Sequence, residues 1–479
     1  MTLADVLRIR RWLLLFLGLS FFYFYSGGGP NQGSRFNLDR AILEESRLSI
    51  DTYHNNTEDK AFYKGHYYCD KAPGASFTAL PAVYLTRVAM QFSGMDPRSS
   101  QGISVQMHVA TWAASGIPAL LMCLTVFIWV IRQGYSPAAA VLSSLAVGLG
   151  SPMWAYATLF WGNALASCCL VFAACTVDKL VHATALRQAP RLAFLAGLAC
   201  GGAVLAEYPT APMVAILCSL LLLKLRPWRD YLGRFAAFGM GALVAVGILA
   251  SYNFAAFGSP FHLGYASVQG FSGMQQGFFG VTLPSGKALA GIIWGPRGLL
   301  LTGPFVVLGL IGHGVALVRR HRVALTVTCL IFSIYPILLN ASYAYWDGGW
   351  TYGPRHMSTA LPFMAMGFAP LYRACNPLLR KGLWLTAAAG LFITMMGVSV
   401  HGMTPYSPSK PFFDLYWSSF FEGNFAKHTV WTDTGGPATN LGLAFGIPKA
   451  FSLVPYWVAT ALALFGLASS VRRCPTRTN

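Results

Sequence analysis

Charge is scarce in this sequence. Asp, Glu, Lys and Arg together make up 10% of its 479 residues, against about 25% in soluble domains. Acids are scarcer still, 16 against 34 Lys and Arg. That excludes a soluble globular domain with an ordinary polar surface. Ten cysteines supply no C-x-x-C pair, and only Cys69 falls in a segment read as external, so there is neither a redox motif nor a disulfide framework. No two histidines stand at zinc-site spacing, and no Walker or dinucleotide glycine fingerprint appears. Fixed-period repeats and low-complexity tracts are missing too. The apolar run after Arg8 continues through Phe21 to Tyr25 without a small-residue cleavage site before Gly27. It therefore reads as an uncleaved span rather than a removable leader.

What is abundant is apolar length. Hydrophobic residues form 55% of the chain and the mean hydropathy is +0.51. Stretches near 11–26, 105–131, 136–154, 157–177, 192–207, 209–223, 235–254, 297–318, 323–341, 357–373, 382–402 and 451–471 approach the ~20 apolar residues that a span requires. The sequence predicts an all-α polytopic membrane protein of about twelve transmembrane helices (ten to thirteen). The connecting segments alternate in charge. One set holds Arg8, Arg10, Arg11, Arg132, Lys179, Arg187, Arg319, Arg320, Arg322, Arg373, Arg380 and Lys381 among its twenty basic residues, against Asp5, Asp178 and Asp230. The positive-inside rule makes that set, and both termini, cytoplasmic. The net charge of +18 is explained by these scattered loops, so nucleic acid is excluded as a partner.

Thirteen of the sixteen acids fall in the other, outer set. The division expected is an N-terminal span over 1–26, an extracytoplasmic loop over 27–104, and a multi-span core over 105–402. Outer loops interrupt that core at about 255–296 and 342–356. A cap loop covers 403–450, with Tyr406, Trp417, Phe420 and Trp431, and the last span and tail occupy 451–479. In the first loop, Ser34–Arg47 has a helical period, and Phe77, Leu80, Val83, Tyr84, Val88 and Phe92 form an amphipathic stripe suited to an interfacial helix.

The densest chemistry is Asp51-Thr-Tyr-His54 to Glu58-Asp59-Lys60, then Gly65-His66-Tyr67-Tyr68-Cys69-Asp70-Lys71-Ala72-Pro73-Gly74. Carboxylates beside a lysine at the membrane boundary suit transfer from a lipid-linked phosphate. An acid takes the proton of an acceptor hydroxyl, and a cation meets the charge on the leaving phosphate. A second constellation runs from Tyr343 through Trp346, Asp347, Trp350 and Tyr352 to Arg355-His356. Arg355 can grip phosphate through its planar fork, while the aromatics match either a sugar groove or an ordinary membrane belt. Glu207, in Leu-Ala-Glu-Tyr-Pro-Thr between two spans, is costly there and reads as a second acid or as a buried ion-pair partner. Arg297, in Trp-Gly-Pro-Arg-Gly-Leu-Leu, is a further outer cation.

These features resemble the GT-C type polytopic glycosyltransferases, which include protein mannosyltransferases and bacterial aminoarabinose transferases. The likeness rests on the layout, on Lys64-Gly-His-Tyr-Tyr-Cys-Asp-Lys-Ala-Pro-Gly, and on Trp-Gly-Pro-Arg-Gly-Leu-Leu and Gly-Gly-Trp-Thr-Tyr-Gly-Pro-Arg-His. It implies a polyprenyl-phosphate sugar donor, a lipid, glycan or protein acceptor, inverting transfer on the outer face, and a bacterial inner-membrane location. Lys71 matches the turn lysine near the donor phosphate, with Arg355, Arg297 and His356 beside it. Tyr68, Trp346, Trp350 and Tyr352 would line the sugar and lipid groove. The family sets a catalytic aspartate directly after the first span, where this chain has Asn31-Gln-Gly-Ser-Arg35 and a first acid at Asp39. Asp59 is the preferred base, then Asp39, with Asp51 and Asp70 as further candidates and Glu207 as second acid. Asn163 stands where related sequences have histidine. No cofactor is required, although Mg or Mn is compatible with such a site. The rival expectation is a transporter or flippase of a lipid-linked or small polar solute, which internal repeats and broken midplane helices would favour.

Overall fold

Backbone polar groups have no water to bind inside a bilayer, so long apolar segments satisfy them within helices. The computed structural model describes residues 2–182, 188–225, 227–304, 306–400, 402–403, 410–425 and 439–474. Tyr406 and Trp431 of the expected cap, and Arg187 among the inner basic residues, lie outside the described residues. Helix accounts for 73% of the molecule. Among the described residues, seven helices are long and apolar enough to cross a membrane, or eight if the pair Gly286–Thr302 and Val306–Val318, bent by 96°, forms one span. Each of the twelve apolar stretches contains helix. The difference in count arises where charge, Gly or Pro shortens the run. Helix α1 (Leu3–Tyr23) carries Arg8, Arg10 and Arg11 in its first half.

After α1 come α2 (Pro30–Glu45), a hairpin of β1 (Ala61–Tyr63) and β2 (His66–Tyr68), and α3 (Gly74–Phe92). The hairpin is the exception to an all-helical expectation. Its two-residue turn, Lys64-Gly65, has positive φ at both positions, 48° and 87°, as a twist-matched tight turn requires. Helix α3 buries Ala75, Ala79, Val83 and Met90 but leaves Leu85 and Phe92 exposed, the two-faced pattern of a helix lying against the bundle.

Next, α4 (Ser100–Thr111) continues through one wide turn into α5 (Ile117–Arg132) as a 33-residue span. The remaining helices are α6 (Pro137–Gly148), α7 (Met153–Ala157), α8 (Asn163–His182), α9 (Ala189–Ala206), α10 (Ala211–Lys224) and α11 (Leu232–Phe257). They are followed by α12 (Gly286–Trp294), α13 (Leu299–Thr302), α14 (Val306–Val318), α15 (Val323–Ala341), α16 (Leu361–Met366), α17 (Phe368–Ala374) and α18 (Pro377–Val400). Short α19 (Ser418–Glu422) and α20 (Leu441–Ala444) precede α21 (Val454–Arg472), which packs on α1.

Lipid offers no hydrophobic drive between helices, so close backbone approach must substitute. Helices α9 and α11 show it: Gly197 faces the Phe238 carbonyl and Gly241 the Phe194 carbonyl, with no room for a Cβ at either. The other flank of α11 exposes Met240, Leu243, Val244, Ile248 and Phe254, which suits contact with acyl chains.

Candidate active site

The Asp70-Lys71-Ala72-Pro73-Gly74 turn delivers the chain into α3, with Pro73 at the helix N-cap. Lys71 is the centre of a buried cluster. Its Nζ lies 2.7 Å from Asp70 Oδ2 and 3.0 Å from Asp59 Oδ2. Ser34 of α2 donates to the other Asp70 oxygen at 3.3 Å. Desolvation pulls the Lys71 ammonium down, but Asp59 and Asp70 outweigh it and its pKa ends above the ordinary lysine range. Burial raises the Asp70 carboxyl, and Asp59 adds to the shift while Lys71 opposes it. Asp59 is anchored differently: its backbone N–H donates to Thr57 Oγ1, and that hydroxyl donates to the Pro30 carbonyl. Its side chain keeps 11% exposure, against 2% for Asp70.

Distant segments converge on this cluster. The Tyr343 hydroxyl and the His356 ring both lie within the field of Lys71 and Arg355. His356 is driven well below the usual histidine range, first by burial and then by Arg355 and Lys71, so it is neutral at pH 7. Arg355 stands 5.3 Å over the Trp161 ring and donates from Nε to His356 Nε2 at 3.4 Å. The Asn163 amide fixes this corner, donating to the Arg355 carbonyl at 3.0 Å and to Ser358 at 2.8 Å. Tyr265 feels Glu207, Lys71 and Asp70 together.

Glu207 ends α9 and is held by Arg35, whose Nη2 lies 2.9 Å from Glu207 Oε1. Arg35 is 1% exposed and also donates to the Ala72 carbonyl and to Asn31. Glu207 therefore sits as the partner of a buried arginine, and Arg35 ties the Lys71 turn to α9. Gly162 clears the space, since a Cβ there would strike Glu207 and the Ala206 carbonyl.

Other expected residues fall elsewhere. Asp39 is fully buried, and neither carboxyl oxygen has a partner among the described residues. Burial drives its pKa well above the carboxylate range despite Arg35. Burial therefore favours its protonated form, the wrong state for taking a proton. Asp51 faces outward and bonds His66 Nδ1 at 2.8 Å and the Tyr67 N–H at 2.7 Å. Tyr68 packs on Phe257, and Trp346 lies against Gly291 of α12. Trp350 is half-buried against the main core. Arg297 donates to the Gly349 carbonyl and lies 3.7 Å from Asp347. With the buried Tyr352 it lines a cavity of about 10 Å³, space for about one water. Among the described residues, no three His, Cys, Asp or Glu side chains converge on one point.

Two participants escaped sequence reading. Arg35 looks like one more basic residue, and only its burial reveals the role. Tyr265 carried a signal, the His262-Leu-Gly-Tyr265 phrase in an outer loop, but nothing to link it to Lys71.

The architecture has relatives among solved structures. The aminoarabinose transferase ArnT of Cupriavidus metallidurans, solved bound to undecaprenyl phosphate, superposes with a TM-score of 0.53 over 97% of this chain and 75% of its own, at 13% identity. Its apo form gives 0.52. The archaeal oligosaccharyltransferase AglB of Archaeoglobus fulgidus, solved with an inhibitory peptide and a dolichol-phosphate, gives 0.50 at 13% identity, over 85% of this chain and 57% of that one. The fold is that of the GT-C glycosyltransferases. At such identities the GT-C likeness is one of fold. Residues 68–159, which include the Lys71 turn, match a family described as a protein of unknown function (DUF3147). No curated protein matches the sequence.

Proposed function

We propose that this GT-C chain is a membrane glycosyltransferase that moves a sugar from a polyprenyl-phosphate donor to an acceptor hydroxyl on the extracytoplasmic face, with inversion. The observation that carries this reading is the sharing of Lys71 between Asp59 and Asp70, with Arg355 and the neutral His356 in the same field. A donor phosphate competes with the two carboxylates for Lys71. The acceptor oxygen attacks the anomeric carbon as the carbon–phosphate-oxygen bond breaks, and Asp59, freed from Lys71 and the more exposed acid, takes the acceptor proton. Lys71 and Arg355 face the charge left on the lipid phosphate. Asp70 stays beside Lys71, and Arg35 with Glu207 holds the turn in place. Tyr265 and Tyr343, with Trp161 under Arg355, flank the sugar.

The same reading extends to topology. On this reading the chain crosses a bacterial inner membrane twelve times with both termini cytoplasmic, the loop over 27–104 is catalytic, 403–450 forms a cap, and the Lys71 cluster faces the outer surface. Lipid-phosphate ligands of the fold relatives support the donor class, and the acceptor is a lipid, glycan or peptide hydroxyl. The test is transfer of radiolabelled sugar from a panel of polyprenyl-phosphate donors by the purified, reconstituted protein. Transfer is expected in the wild type and loss of it in Asp59→Asn and Lys71→Ala, each still folded. Unchanged turnover in both variants refutes the assignment, and uptake into sealed vesicles without a covalent product marks a transporter instead.

A further inference from the structure

A second concentration of cations lies at the far end of the bundle. Tyr135, Ala316, Arg319, His321, Pro370 and Arg373 line a cavity of about 180 Å³, between the entry to α6, the end of α14 and the end of α17. The Lys71 cluster is far off. Helix α15 starts at the Arg322 N-cap beside this cavity and ends next to Tyr343, and its 19 residues span about 28 Å at 1.5 Å per residue.

The charged residues that line the cavity are both arginines. Arg319 and Arg373 line it, and no ion pair joins either to a carboxylate among the described residues. Arg322 contributes to the same field, which reaches both Tyr135 and His321. Asp178, the acid paired with Arg322 at 3.5 Å, is also engaged by His182 at 3.2 Å and the Trp129 N–H at 3.0 Å. His321 Nε2 is buried and has no partner among the described residues. Capping of helix C-termini explains one arginine at a time. It does not explain why two arginine forks and a spare imidazole nitrogen share one hollow.

Size and surroundings narrow the ligand. At 180 Å³ the cavity is below the ~300–1,000 Å³ of whole small-molecule sites, so it takes a headgroup rather than a cofactor. Large apolar side chains close by in sequence stay exposed: Val318 is 85% exposed and Leu378 75%. Basic pockets between spans are suited to phosphate headgroups of anionic lipids, and arginine forks grip phosphate in a bidentate manner.

We propose that the hollow formed by Tyr135, Arg319, His321 and Arg373 is a binding site for the phosphate of an anionic phospholipid, at the opposite membrane surface from the Lys71 cluster. The phospholipid is a bound structural ligand and undergoes no reaction there.

The experiment is native mass spectrometry of the full-length protein with phosphatidylglycerol, with phosphatidylcholine, or with inorganic phosphate alone. Wild type is expected to retain phosphatidylglycerol at least tenfold over phosphatidylcholine. Arg319→Ala/Arg373→Ala should fall to the phosphatidylcholine level, whereas the control Arg10→Ala/Arg11→Ala, on exposed residues of α1, should not. Equal retention of the two lipids by wild type overturns the site without recourse to any variant. So does undiminished phosphatidylglycerol retention in the Arg319/Arg373 variant. Displacement of the lipid by millimolar inorganic phosphate assigns the hollow to a free phosphate and overturns the lipid source.

Discussion

Two buried charge clusters lie in the same first loop, and they are opposites. Around Glu44 of α2, one carboxylate serves three arginines: Arg40 at 3.2 Å, Arg87 at 2.9 Å and Arg98 at 3.4 Å, with the Tyr53 hydroxyl at 3.1 Å. Around Lys71, one cation serves two carboxylates. Every partner of Glu44 comes from residues 40–98, so that hub closes the loop upon itself. Partners in the field of Lys71 come from residues 59, 70, 265, 343 and 356, which only the assembled fold brings together. Glu44 is saturated, and burial, which would raise its carboxyl, is overcome by Arg40 and Arg87 so that it stays ionised. Asp70, by contrast, has its carboxyl raised by burial and by Asp59, against the pull of Lys71. On the proposed function, a cluster that gathers distant segments around one shared cation is the one that receives the donor. One that satisfies a single acid locally is built to hold shape.

Mutation can break that contrast. The largest effect is expected from Asp59→Asn, which keeps the shape and removes the basic oxygen. Transfer should fall by about 10²–10⁴, the range of general-base contributions, in kcat more than KM, with an unchanged melting temperature. Undiminished kcat would dissolve the distinction drawn here. Lys71→Ala comes next. Losing one charge-stabilising group costs about 10²–10³ in rate, and the variant also leaves Asp59 and Asp70 facing each other without a cation. Lys71→Arg should recover part of the loss, because charge returns but the approach distance does not.

The Glu44 hub should respond on the other axis. Glu44→Gln retains a polar side chain but loses the charge that three arginines share, at a cost of about 1.5–3 kcal/mol for hydrogen bonds to charged groups. A lowered melting temperature with unaltered kcat per folded molecule is expected. Reduced kcat at unchanged stability would place Glu44 in the working site.

The legible part of the molecule was local. Apolar length announced the multi-span helical protein, and the Asp-Lys-Ala-Pro-Gly phrase announced a fixed turn with its own acid and base. Asp59 stands twelve positions before Lys71 and could be guessed from its setting among acids. Asp39 could not be judged, because a carboxyl on a helical period looks the same whether it faces water or, as here, a sealed interior. The Arg35–Glu207 pair spans 172 positions, and nothing in either neighbourhood names the other. The hairpin was readable but unread: Lys64-Gly65 between aromatic residues is a turn signal, overshadowed by the charges around it. The number of crossing helices blurred for a similar reason. Hydropathy records composition, whereas the break at Gly367 between α16 and α17, and the early end of α6 at Gly148, depend on packing.

The smallest effect expected belongs to Asp51, which sequence alone grouped with the working acids. Burial would raise its carboxyl, but the Tyr67 N–H and His66 hold it below the usual range. A depressed carboxyl stabilises the fold above its unfolded pKa, and that stability disappears as pH falls through the lowered value. The contribution is slight, because the Asp51 side chain is 26% and His66 58% exposed, and solvent-screened pairs yield about 0–1 kcal/mol. Asp51→Asn should therefore leave transfer intact at pH 7 and only flatten the acid limb of a thermal-stability profile below about pH 4, the ordinary aspartate range. Loss of transfer at neutral pH would move Asp51 from the loop's outer face into the company of Lys71, and the separation between shape-holding and working charges would no longer stand.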